Sequence, residues 1–319
     1  MRLFSPHVFQ GDLKLKNYFE GWYFKQVTAD LSHVWSFIPG IALTPEGKQA
    51  FIQFIDGITG KTAWFEYPLE TFSFDKRKMM VRVGNSWFME NKIHLDIDKD
   101  NQLFQGEINF SNSIEFPSKW YSPGIMGWYS FVPFMECKHG IVSVSHELHG
   151  KISRNGDTID FTGGKGYIEK DWGTSFPESW IWIHSNHFTN ESTSFTFSVA
   201  KIPWLGKYFI GHICFLYLNG KFYRFATYNG SKITSLKYLE NQLEISIEGK
   251  NENLKIRVTP NISGHLKAPV QGKMNRIIKE SIDSTAYLTL SDKEGKVIYE
   301  DTGQRAGFEM IEKILSYFG

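Results

Sequence analysis

Tyr18-Phe19-Glu20-Gly21-Trp22-Tyr23-Phe24-Lys25 decides how this chain folds. Aromatic side chains at this density suit a pleated, half-buried surface. As a strand, the run puts Tyr18, Glu20, Trp22 and Phe24 on one face and Phe19, Tyr23 and Lys25 on the other. Glu20 is then set among rings. A carboxyl in such a pocket either stays protonated and acts as an acid or is neutralised by a Lys or Arg and anchors the strand.

The same style continues outward. Alternating segments include Val34 to Leu43, Gln49 to Ile55, Ala63 to Phe74, Met79 to Asp98 (two strands broken near Gly84-Asn85) and Leu103 to Phe110. A second set runs through Trp180 to Phe188, Ser194 to Ile202, Tyr208 to Leu218, Phe222 to Thr227, Leu243 to Glu248, Leu254 to Val258 and Tyr287 to Leu290. Asn219-Gly220 and Asn155-Gly156-Asp157 are hairpin turns. With 27 Phe, 14 Tyr and 10 Trp in 319 residues, the composition favours strands throughout.

The expected fold class is all-β: two antiparallel β-barrel domains side by side, over residues 1–165 and 166–319. Gly163-Gly164-Lys165-Gly166 reads as the connection between them. From Arg305 onward, Phe308, Ile311, Leu315 and Phe318 recur at helical spacing, which predicts a short amphipathic C-terminal helix. The Pro- and Gly-bearing stretch from Phe116 to Gly127 predicts a long irregular connection.

Charge narrows the partners. A net charge of +1 supplies no field for nucleic acid or an anionic surface. No apolar run approaches the roughly 20 residues of a membrane helix, and the first ten residues lack a secretory pattern, so the expected location is cytoplasmic. Cys137 and Cys214 have no zinc or redox spacing and read as buried thiols.

Two further constellations carry chemistry. On a strand, Trp180, Trp182, His184 and Asn186 share one face, where indoles would tolerate positive charge and the polar groups would orient a ligand. The alternative is a core stripe with its polar ends satisfied by backbone. His146-Glu147-Leu148-His149, preceded by His139, puts His146 and His149 on opposite strand faces, so no metal is expected. Phosphate loops, dinucleotide fingerprints and Gly-x-Ser-x-Gly elbows are absent from the sequence.

The first block, together with Tyr167-Ile168-Glu169-Lys170-Asp171-Trp172-Gly173, Phe176-Pro177, Trp180, Trp182 and Asn186, resembles the signature blocks of the tocopherol cyclase family. Weaker matches run through Asn219-Gly220-Lys221, Tyr228-Asn229-Gly230, Lys267-Ala268-Pro269 and Gly295-Lys296-Val297-Ile298.

The resemblance implies a pair of lipocalin-like barrels and a ring closure that adds a phenol oxygen across a prenyl double bond without a cofactor. It points to Glu20, Trp22, Glu169, Lys170, Trp172, Trp180, Trp182 and Asn186, with Glu20 or Glu169 as proton donor. Asp171 is a third candidate acid at a position where the family commonly has Asn. His184 and His187 stand where plant relatives carry other residues.

The expected partner is an apolar small molecule, with a peripheral membrane contact as one route to its lipid. A carrier that binds without turnover and a structural protein with filled barrels are the competing readings.

Overall fold

The computed structural model describes residues 4–133, 135–204 and 206–318. The chain divides into two units, Met1–Phe176 with Leu266–Ile277, and Pro177–His265 with Ile278–Gly319. Both are antiparallel and all-β, as the aromatic alternation requires.

The first sheet begins with β1 (Tyr18–Val27), β2 (Val34–Leu43), β3 (Lys48–Asp56) and β4 (Thr62–Pro68). It continues with β5 (Ser73–Phe74), β6 (Met80–Val83), β7 (Ser86–Met89), β8 (Lys92–Lys99) and β9 (Gln102–Ile114). It ends with β10 (Cys137–Arg154), β11 (Asp157–Asp160) and β12 (Lys165–Gly173). The strand order is β4-β3-β2-β1-β12-β10-β9-β8-β7-β6-β5, so β12 lies between β1 and β10.

The second sheet holds β13 (Trp180–Ser185), β14 (Thr193–Trp204), β15 (Lys207–Leu218), β16 (Lys221–Ala226) and β17 (Lys232–Leu239). After these come β18 (Gln242–Glu248), β19 (Glu252–Thr259), β20 (Gly264–Val270), β21 (Lys273–Asp292) and β22 (Val297–Met310). Its order is β16-β15-β14-β13-β22-β21-β19-β18-β17.

Several expectations are corrected by pairing. The boundary after residue 165 falls at the start of β12, whose two neighbours both belong to the first sheet, so the chain passes to the second unit at Phe176 and Pro177. Gly163-Gly164 is accordingly the turn into β12, with Gly163 at φ +80°, and not the link between the barrels. Pro68 ends β4, where one strand to Phe74 was expected, because proline cannot donate to the ladder. Met79 to Asp98 forms three strands, with a second turn at Glu90-Asn91.

The C-terminal pattern is also split. Phe308 belongs to β22, where it pairs with Ile183 and Ser281, and a 3₁₀ helix covers only Glu312–Tyr317. Period-two and period-3.6 patterns overlap over so few residues, and pairing decides between them. Asn219-Gly220 joins β15 and β16 with φ of 48° and 85°, as a type I′ turn requires.

Each unit has its own apolar core. In the first, Phe37, Phe54 and Phe104 lie with centroids 4.8–5.6 Å apart, so rings from neighbouring strands pack on one another in the interior. Strands covered on one face alternate, as β8 does, whereas β1 and β13 are buried almost throughout. A strand buried on both sides has one face for the core and one for something else. Among the described residues, no helix is long and apolar enough to cross a membrane.

Candidate active site

β1, β12 and β10 present different chemistry on their two faces. The inward face carries Trp22, Phe24 and Ile168 into the core. Lys170 opposes Trp22 in the register, so its ammonium points the same way and lies 4.8 Å and 4.9 Å from the Trp22 and Trp172 rings. Glu20 Oε1 is 2.5 Å from Lys170 Nζ, and both side chains are wholly buried.

Other bonds of this pair tie down the N-terminal segment. Gln10 N and Gly11 N donate to the Glu20 carboxylate, and Tyr18 Oη donates to Oε2 at 2.5 Å. Lys170 donates to the Pro6 and Val8 carbonyls, and Trp22 Nε1 to that of His7. Phe9 is thereby held in the core against Phe72 and Phe74. Glu20 is surrounded by donors, the arrangement of an anchoring carboxylate.

The opposite face of the same strands gathers Tyr167, Glu169 and Asp171 from β12 with His139 from β10, which opposes Asp171 in the register. His139 Nδ1 is 2.9 Å from Asp171 Oδ1, and its Nε2 is 3.6 Å from Glu169 Oε2. Tyr167 Oη donates to Glu169 Oε2 at 2.5 Å. Tyr167 and Glu169 are buried, and His139 is largely so.

The electrostatics follow from this placement. Burial alone would oppose charge on His139. The two carboxylates and the hydrogen bond His139 donates to Asp171 outweigh it and push the imidazole up to about 9. The ring is therefore a cation at neutral pH. Cys137 Sγ, 3.8 Å from Asp171 Oδ1, is pushed well up by burial and by that charge, and so stays a thiol.

Among the described residues, ligating atoms of His139, Glu169 and Asp171 lie within 4.8 Å of one another, so this cluster could hold a metal ion. The sequence reading expected no metal and placed His139 beside His146 and His149. The register takes it elsewhere: His146 lies within the barrel against Phe110, and His149 faces solvent beside Ser111.

In the second unit, Trp180, Trp182, His184 and Asn186 are all buried, and all lie outside the apolar core to which Ile181 and Ile183 contribute. Trp180 Nε1 donates to Glu309 Oε2 at 2.7 Å. Trp182 lies over Gly307, where a Cβ would come within 2.5 Å of its ring, and is stacked with His184 at 6.3 Å. Trp180, Trp182 and His184 thus share the β13 face turned from the core, and Asn186 follows just beyond the strand.

Site residues named from the sequence therefore separate into three places. Glu20, Trp22, Lys170 and Trp172 form the inner anchor, Glu169 and Asp171 belong to the outer cluster, and the β13 row belongs to the second unit. His139 and Tyr167 were missed as members of the outer cluster. Tyr167 shares a strand face with Glu169 at i, i+2, a signal the sequence does carry.

These features define a double-barrel protein of lipocalin-like fold with an acid–base cluster on a buried sheet face. Crystal structures of CghA, alone and with Sch210972, align over 93% and 92% of this chain and 89% and 88% of theirs, with TM-scores of 0.59 and 0.58 at 8% identity. Kievitone hydratase from Nectria haematococca aligns over 95% of this chain and 93% of its own, with TM-score 0.51 at 11% identity. At such identities the likeness is one of fold.

The tocopherol cyclase-like family model matches residues 97–311, and the chain belongs to that family. Tocopherol cyclase, chloroplastic, from Zea mays is 27% identical over 195 residues, and the probable tocopherol cyclase, chloroplastic, from Oryza sativa subsp. japonica is 26% identical over the same length. Each match covers 58% of this chain and 41% of the relative, so the aligned part spans about two fifths of the curated proteins.

Proposed function

We propose that this protein is a cofactor-independent cyclase of the tocopherol cyclase type, acting on a prenylated quinol or a similar apolar isoprenoid. The observation that carries the reading is a protonated His139 held between Glu169 and Asp171 on a buried face. An imidazolium pushed up to about 9 is a poor direct acid for an alkene but a secure proton store.

In this mechanism Glu169 meets the alkene. It takes the proton of His139 as the substrate excludes water, because charge separation is disfavoured in a dry site. The Tyr167 hydroxyl donates to Glu169 and holds its carboxyl in position. The proton goes to one alkene carbon, the phenol oxygen bonds to the tertiary carbon, and the phenol proton returns to the cluster. Asp171 holds the imidazole in place. With water in place of the phenol, the same steps give hydration.

The test is turnover of a prenylated quinol by Glu169→Gln and His139→Gln variants. Losses of about 10²- to 10⁴-fold with substrate binding retained support the reading, and unchanged turnover removes the cluster from the chemistry. A second reading, a carrier, is favoured by one observation: Glu20 is locked to Lys170 as an anchor. Recovery of ligand chemically unchanged after long incubation supports the carrier.

A lipid surface is the proposed source of the substrate. Trp120, Tyr121, Trp128 and Phe131, in the irregular connection between β9 and β10, are exposed aromatic groups of the kind that seat at membrane interfaces.

A further inference from the structure

Trp35, Gln26, Gly166 and His146 occupy successive opposed positions on β2, β1, β12 and β10. Directly opposed residues of antiparallel strands point to the same side. Here that side is the barrel interior, where Trp35 packs on Phe54, Phe104 and Phe161 and His146 packs on Phe110. Gly166 makes the row continuous, because a Cβ there would stand 2.2 Å from His146 Nε2. The imidazole thus occupies the place of a missing side chain at Gly166, the position opposite Gln26 in the register.

Trp35, Gln26 and His146 are 2%, 0% and 2% exposed. Trp35 Nε1, both polar atoms of the Gln26 amide and His146 Nε2 are buried, with no hydrogen-bond partner among the described residues. A buried polar group left in that condition is destabilising, so a cluster of them calls for a shared partner.

The other edge of His146 leads outward. Its Nδ1 lies 2.9 Å from Ser143 Oγ, which accepts a hydrogen bond from Ser113 Oγ at 2.9 Å, and Ser113 is exposed. With Ser143 accepting from Ser113, its own hydroxyl hydrogen is available to His146 Nδ1, an assignment that leaves the imidazole hydrogen on Nε2. Burial pushes His146 down to about 3, so the ring is neutral and one tautomer suffices. The interior end of the row then offers two N–H donors, from Trp35 and His146, and an amide that can donate or accept.

We infer that the first barrel contains a built hydration site at this row. A water oxygen there accepts from Trp35 Nε1 and His146 Nε2 and donates to Gln26 Oε1. The relay Ser113–Ser143–His146 joins that water to the surface. Three polar partners in an otherwise apolar enclosure are the ordinary complement of a buried water. The site is on the inward face and shares no residue with the His139 cluster.

Nuclear magnetic resonance of the whole chain, ¹⁵N-labelled at Trp and His, tests this. The expected result is an Nε2–H tautomer for His146 and rotating-frame cross-peaks from both Trp35 Nε1–H and His146 Nε2–H to a long-lived water. Gln26→Leu is expected to reduce both cross-peaks to the noise. An Nδ1–H tautomer, cross-peaks to the Gln26 amide in place of water, or peaks unchanged in Gln26→Leu would each overturn the site. The tautomer is read on the unsubstituted protein, so that part stands even where the variant folds poorly.

Discussion

The two faces of β1, β12 and β10 each hold a buried carboxylate beside a cation, yet they do opposite things. On the inner face every bond of Glu20 and Lys170 named above ends on the N-terminal segment, on Tyr18 or on the partner charge. On the outer face one cation is shared between two carboxylates, at 2.9 Å and 3.6 Å, and the second is an ion-pair distance longer than a hydrogen bond. The inner pair clasps the N-terminal segment, and the outer cluster is the one to which the proposed function gives proton exchange. Burial alone does not separate an anchor from an acid, since both carboxylates are buried.

Lys170→Met breaks the comparison most severely. It leaves Glu20 as a buried charge without its cation, and a loss of about 3–5 kcal/mol is expected in denaturant unfolding. A loss below about 1 kcal/mol would show that the inner pair is no anchor. Glu169→Gln is the converse change: turnover falls by about 10²- to 10⁴-fold while the unfolding midpoint moves little. A large shift of the midpoint with activity intact would reverse the two assignments.

The two histidines of β10 sharpen the contrast through pH. His139 is raised to about 9, so its contribution to stability is complete below the unfolded value near 6.5 and is lost as pH rises through about 9. His146 is depressed to about 3, so its contribution is present above about 6.5 and is lost progressively as pH falls toward 3. His139→Gln is expected to flatten the alkaline limb of unfolding free energy against pH, and His146→Gln the acid limb. An alkaline limb unchanged in His139→Gln would sink the charge assignment. The smallest effect is expected from Trp180→Phe, which removes the bond to Glu309 and costs about 1 kcal/mol.

Much of the fold was legible. Alternation located most strands, and Asn-Gly pairs located their turns, because both signals are local. Period two also put Trp180, Trp182 and His184 on one face of β13, where the Trp182 and His184 rings stack. What alternation could not tell was which face of a doubly buried strand meets the core: Glu20 and Glu169 read alike, yet they face opposite ways. Nor could it bring His139 to Asp171, 32 residues away, since β10 carries register shifts between Ile141 and Ser143 and between Ser143 and His146. A one-residue slip exchanges the two faces of a strand, and nothing in the adjacent sequence marks it.

The strap from Pro6 to Gly11 also sets an order of events during synthesis. Its carbonyls wait for an ammonium carried 164 residues later in the chain. At about 5–20 residues per second, a ribosome needs roughly 10–30 s to deliver it. Until then Phe9 has no clasp, and Glu20 has no counter-ion from β12. The first barrel therefore closes late, its earliest-made residues among the last to be secured, and an arrest of translation before Lys170 would leave its start open to proteases.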